Sequence, residues 1–194
     1  MSSTVLIVRR AVPADAAALE GMARASLRGL GSAYYGPEQI ETWIDTSGLI
    51  DPELIIDGAL FLAEAAGRPV GCAAWSRNVM HGCGDRALDG SGVLDPDRDP
   101  VRIRTVFVHP DWTRRGIATV LMARAEAAAS EAGFRRGFRL LATLTGVPLY
   151  RRLGYAVERP GVFALPGGVC LSGMWMVKPV TDARPAPAAT AAAA

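Results

Sequence analysis

The chain has 194 residues, half of them hydrophobic and 21% charged, with a net charge of +2. That length fits one domain, since two would each have a thin core, and the balance is globular rather than disordered. Its arginines are interleaved with acids and Lys178 is its single lysine, which argues against the clustered basic face of a nucleic-acid binder.

Cys72, Cys83 and Cys170 are odd in number and widely spaced, with no CxxC pair, so reduced thiols are expected rather than a disulfide framework. The apolar run 5–8 is followed at once by Arg9 and Arg10, too short for a signal segment. No apolar run approaches the roughly 20 residues of a membrane helix. The expectation is a soluble cytoplasmic protein with no membrane partner.

In chain order, residues 5–9 read as a first strand. Pro13 and Asp15 suit a helix start, and Leu19, Met22, Ala23, Leu27 and Leu30 recur at helical spacing to about Leu30. A Gly-Tyr loop (31–36) leads to a second helix from Pro37, with Ile40, Trp43 and Ile44 on one face. Residues 51–58 suit a short helix. Residues 61–65 and 70–75 form a hairpin around Gly67, Arg68 and Pro69. Residues 77–100 form a long Gly/Asp/Pro-rich loop, a lid or an excursion. A strand follows at 101–108, then a helix at 114–132 with Ile117, Val120, Leu121, Ala125 and Ala128 as its stripe and Gly133 as its stop. Residues 138–143 are strand-like, 147–153 a short helix, and 155–163 and 169–177 the last two strands. From Thr181 the sequence is nearly all Ala and Pro, giving a domain at 1–180 and a disordered tail at 181–194. The mixture of a hairpin sheet with strand–helix–strand crossovers implies a mixed α/β sheet flanked by helices.

Chemistry concentrates at 106–119, which runs Val106-Phe107-Val108-His109-Pro110-Asp111-Trp112-Thr113-Arg114-Arg115-Gly116-Ile117-Ala118-Thr119. A strand ends, a polar turn follows, and two arginines and a glycine open a helix. Free amides and the positive dipole end make such a start an anion site. Gly116 allows close approach and the arginines add charge suited to phosphate. A plain strand–turn–helix connection with solvated arginines fits the segment alone equally well. No Gly-Lys-Ser/Thr and no GxGxxG is present, so neither a P-loop nor a dinucleotide fingerprint applies. A second segment, Thr143 to Tyr155, contains Leu149-Tyr150 and then Gly154-Tyr155.

Together the two segments resemble the GNAT acetyltransferases. In that superfamily a strand ending V-x-P leads to a Q/R-x-x-G-x-G/A turn and helix, and a later strand leads to a helix reading F-Y-x-x-x-G-F. The resemblance spans the chain from Val5 to about Val177. It implies a mostly antiparallel central sheet of six to seven strands, splayed at the cofactor site. Acetyl-CoA is the implied cosubstrate, with no metal. Backbone groups of Val106, Phe107 and Val108 would hold the pantetheine arm, and the amides of Arg114, Arg115, Gly116, Ile117, Ala118 and Thr119 the pyrophosphate. An amide near Val108 would polarise the thioester carbonyl. Tyr150 would protonate the departing thiolate, against the plainer role of packing on its helix. The chain departs from the pattern at Thr113, at Thr143 where asparagine is frequent, and at Arg102 and Arg104, where many relatives place a basic glutamate.

For the missing base the sequence offers Glu64, His109, His81 and Cys83, each with an ordinary surface or turn role as its alternative. Asp95, Asp97 and Asp99 alternate like a calcium loop but lack its glycine and distal glutamate, and read as a solvated acidic turn. Tyr34, Tyr35, Trp43 and Trp75 are candidates to shape the pocket of a small-molecule or peptide amine acceptor, with Trp43 better read as core. A non-catalytic acyl-CoA-binding module and an aminoacyl-tRNA acetylase are the competing functions. Relatives commonly form homodimers.

Overall fold

The computed structural model describes residues 5–80 and 91–180. The chain runs β1 (Leu6–Arg10), α1 (Ala16–Gly31), α2 (Pro37–Thr46), α3 (Pro52–Ile56), β2 (Leu60–Ala65), β3 (Arg68–Ser76), β4 (Val101–Val108), α4 (Ile117–Glu131), β5 (Phe138–Thr143), α5 (Val147–Arg152), β6 (Ala156–Ala164) and β7 (Cys170–Lys178). The seven strands form one sheet in the order β1-β2-β3-β4-β5-β7-β6. All neighbours are antiparallel except β4 and β5. The expected mixed, mostly antiparallel sheet flanked by helices is the observed architecture.

Each face of the sheet carries its own core. Alternation along β3 sends Ala73 and Trp75 to one face and Cys72 and Ala74 to the other. On the first face α4 lays Ile117, Leu121, Met122 and Ala125 over the sheet. On the second, α1 brings Leu19, Met22, Ala23 and Leu27, and α2 brings Ile40 and Ile44. No helix among the described residues is long and apolar enough to cross a membrane.

Boundaries move where the backbone leaves the left half of φ space. The β2–β3 turn is Ala66-Gly67, with φ of 50° and 74°, the primed geometry that matches strand twist. Strand β3 therefore begins at Arg68 and takes in Pro69, which it tolerates because the ladder shifts register at that point. The helix expected from Arg114 starts only at Ile117, since Arg114 and Gly116 have φ of 62° and 76°. The described flanks of the 77–100 segment close on each other through an Asn78–Val93 bridge. Val79 and Leu94 are buried there. Asp99 is not solvated as expected. It is buried and accepts the Asp95 amide at 2.9 Å. His81, Cys83 and the 181–194 tail lie outside the described residues.

Candidate active site

Strands β4 and β5 pair only at Val101–Phe138 and Arg102–Arg139. Beyond those pairs β4 stays with β3 as far as Val108, and β5 stays with β7 as far as Thr143. The two central strands therefore part, leaving unpaired backbone along a gap. The gap opens at a bulge, where the shift between the Cys72–Phe107 and Ala74–Arg104 pairs sets Thr105 and Val106 against Ala73. Thr105 has φ of 58°, which costs a β-branched residue about 1–2 kcal/mol. The buried Cys72 thiol donates to the Thr105 carbonyl at 3.3 Å. Burial pushes that thiol's pKa up to about 12, so it remains a donor. Past the bulge His109 N donates to Val70 O at 2.9 Å. Alternation then turns the Val108 amide away from β3, where it donates to Ser26 Oγ of α1 at 3.3 Å.

The turn after β4 presents a run of free amides. Those of residues 114–119 meet no acceptor among the described residues, and the first to bond is Val120, to Gly116 O at 3.1 Å. Left-handed residues at 114 and 116 curl these amides inward, as in anion-binding nests. A Cβ added at Gly116 would meet nothing within 4 Å; glycine is needed there for its φ, and the space beside it is open. Arg115 contributes only its amide, because its guanidinium lies 4.5 Å over Trp112 and donates to Asp111 O at 3.2 Å.

A cavity of about 660 Å³ joins these features. Every expected site residue except Arg115 lines it: Val106, Phe107, Val108, Arg114, Gly116, Ile117, Ala118, Thr119 and Tyr150. Tyr150 is buried, its ring edge-on to Tyr155 at 5.9 Å and so close to Gly146 that a Cβ there would fall 2.7 Å from Cε2. Its hydroxyl makes no hydrogen bond among the described residues. Burial raises its pKa above the ordinary phenol value. Tyr155 differs, since its hydroxyl donates to Glu126 at 2.9 Å and Glu126 also accepts Lys178 Nζ at 2.6 Å.

A second cavity of about 680 Å³ lies on the other side of the gap and shares Val106, Phe107, Thr143 and Tyr150 with the first. The Tyr150 phenol thus stands where the two meet. Trp43 packs against the second core as expected and also lines this second cavity, its ring 4.8 Å from Phe163. Tyr35 lines the first cavity, and its hydroxyl braces the fold by donating to Ser172 O at 2.7 Å and accepting from Leu144 N at 2.8 Å. Trp75 is buried against Phe134 and Tyr34 is exposed; neither lines either of these two cavities. Of the base candidates, Glu64 pairs with Arg9 at 2.8 Å, and His109 accepts the Asp111 amide at 3.3 Å. Both stand outside the two cavities.

Sequence reasoning missed Ser26, Arg152, Asp51 and Phe163. It read Arg104 only as a missing carboxylate. Ser26 did carry a signal, being the polar position inside the apolar stripe of α1.

The model of the acetyltransferase (GNAT) domain matches residues 57–157, a span that holds the bulge, the gap, the amide turn and Tyr150. A GCN5-related N-acetyltransferase from Rhodopseudomonas palustris superposes with a TM-score of 0.66 at 23% identity, covering 93% of this chain and 98% of its own. The PaiA N-acetyltransferase from Thermoplasma acidophilum, solved with coenzyme A, gives 0.66 at 18% identity, covering 90% and 99%. A GNAT family acetyltransferase from Brucella melitensis, solved with acetyl-CoA, gives 0.53 at 25% identity, covering 79% and 84%. No curated protein matches the chain. A family match over half the chain, on the very strands that part around the cavity, makes this protein a member of the GNAT acetyltransferase family.

Proposed function

We propose that the protein transfers the acetyl group of acetyl-CoA to a primary amine by direct attack, with the donor in the first cavity and the amine in the second. The observation that carries this reading is the position of Tyr150, whose hydroxyl is unbonded among the described residues and stands where the two cavities share residues. The chain's groups fit the donor. Free amides at 114–119 suit its diphosphate, with Arg114 and Arg152 on the cavity wall. The unpaired edge of β4 suits an extended pantetheine arm. Coenzyme A or acetyl-CoA in two of the similar structures supports the same assignment. Residues 1–180 would then act as one acetyltransferase domain.

An aliphatic ammonium has a pKa of about 10, so the acceptor must shed a proton before attacking the thioester carbon. Carbonyl charge developing in the attack falls beside β4, where the Val108 amide is available once it exchanges Ser26 for the ligand. The departing sulfur takes the Tyr150 proton. The raised phenol pKa does not oppose this step, because the thiolate would form in the same buried junction and suffers the same desolvation. Acetyl-CoA should raise the melting temperature of the wild type and of Tyr150→Phe alike, while the variant loses turnover against a panel of amines. Full turnover in the variant would remove the acid role.

A further inference from the structure

Among the described residues the wall of the second cavity holds one cation, and it is only loosely paired. Arg104 lines that cavity with its side chain only 25% exposed. Its guanidinium makes no hydrogen bond among the described residues, and its one charged neighbour is Asp51 Oδ2, 3.5 Å from Nη2. A guanidinium offers five N–H groups in a fork that matches a carboxylate, and a contact of this length leaves the fork unfilled. Asp51 is also committed elsewhere, since its Oδ1 caps α3 by accepting the Glu53 amide at 3.0 Å. Arg104 thus stands on the cavity wall with a single loose ion pair.

Other walls of the cavity fix the rest of the ligand. The Trp43–Phe163 pair supplies an aromatic surface, and Asp51 and Glu53 supply negative charge for an incoming ammonium. Arg104 stands two residues before Val106 on the same strand, roughly 7 Å along β4 from the junction. An acceptor whose anion and reacting nitrogen lie close together suits that spacing.

We propose that the acceptor is a free α-amino acid with an aromatic or branched apolar side chain, its carboxylate on Arg104 and its side chain against Trp43 and Phe163. This rests on the acetyl transfer proposed above. The amino nitrogen bonds to the thioester carbon, the C–S bond breaks, and the sulfur takes a proton from Tyr150. Of the two protons shed by the ammonium, one restores Tyr150 and one goes to solvent.

The test measures initial rates with acetyl-CoA for L-phenylalanine and L-leucine against phenethylamine and L-phenylalaninamide, which lack the carboxylate. The expected result is a kcat/KM for the amino acids at least about tenfold above that for the analogues, collapsing toward one in Arg104→Met. Equal rates in the wild type, or acetylation of none of the four by a protein that binds acetyl-CoA, overturn the amino-acid assignment. If Arg104→Met does not fold, the wild-type ratio decides alone, together with thermal stabilisation by L-phenylalanine that phenethylamine fails to give. Absence of any acetyl-CoA-induced thermal shift instead strikes the donor reading, so the two failures are distinguishable.

Discussion

The two cavities that meet at Tyr150 are built from different materials. The proposed donor side relies on backbone: a gap between strands, a bulge at Thr105, and amides at 114–119 with no acceptor among the described residues. The other side is built of side chains, with Trp43 from α2, Asp51 at the cap of α3, Arg104 from β4 and Phe163 from β6. Backbone donors recognise any ligand with the right phosphate and amide geometry, and tolerate wide sequence change. Side chains carry the choice of partner. A substitution should accordingly disturb one half without the other, and that is the pattern to attack.

The largest effect belongs to the residue the halves share. Tyr150→Phe should lower kcat by about 10²–10⁴-fold, the range of a lost general acid, with acetyl-CoA affinity by calorimetry unchanged. Because burial raises the phenol pKa, Tyr150 stays protonated as pH rises through its ordinary value. The wild-type kcat should therefore show no alkaline decline assignable to it below pH of about 10. A decline near pH 8 that vanishes in Tyr150→Phe would show Tyr150 itself losing its proton there and overturn this expectation.

Next in size is a change confined to the side-chain half. Trp43→Ala removes one member of the aromatic wall, 4.8 Å from Phe163. Burying an aromatic side chain contributes roughly 1.5–3 kcal/mol. The acceptor KM should rise by about tenfold or more, while acetyl-CoA affinity holds. A parallel loss in both would mean that the cavities are not separable.

The same division explains what the sequence disclosed. The proposed donor turn was legible because its code is local: a strand, Gly116, then a helix stripe, all within 106–128. Its limit was the helix start. Arg114 adopts a left-handed φ of 62° that no feature of arginine favours, so residues 114–116 looked like the helix they precede. The wall of the second cavity was illegible for the opposite reason. Trp43 shares a helical face with Ile40 and Ile44, and only the approach of β6 shows that its ring ends beside Phe163 rather than deeper in the core. Arg104 resembled its surface counterparts until the parting of β4 and β5 left it on a cavity wall.

On the backbone half, Gly116→Val tests the turn. A β-branched residue at φ of 76° is strained by roughly 1–2 kcal/mol. The turn escapes that strain only by rotating the amides that follow. Acetyl-CoA should bind about tenfold more weakly, with the relative kcat/KM among acceptors preserved. Altered acceptor preference in this variant would tie the amide turn to partner choice.

The smallest effect sharpens the comparison most, because the Ser26 side chain engages an amide of the backbone half from α1. Its Oγ accepts the Val108 amide across 82 positions of sequence at 3.3 Å. Either the hydroxyl merely satisfies that amide until the donor arrives, or it forms part of the donor's own binding set. Ser26→Ala separates these roles. If Ser26 is a placeholder, the free enzyme loses about 1 kcal/mol of stability, the usual net worth of such a bond. Acetyl-CoA affinity then does not fall, since Val108 no longer has to surrender a partner to bind the ligand. The stability loss is read by urea denaturation and the affinity by calorimetry. A several-fold loss of affinity would instead place Ser26 among the donor's ligands, and the first cavity would then depend on a side chain of α1 as well as on backbone.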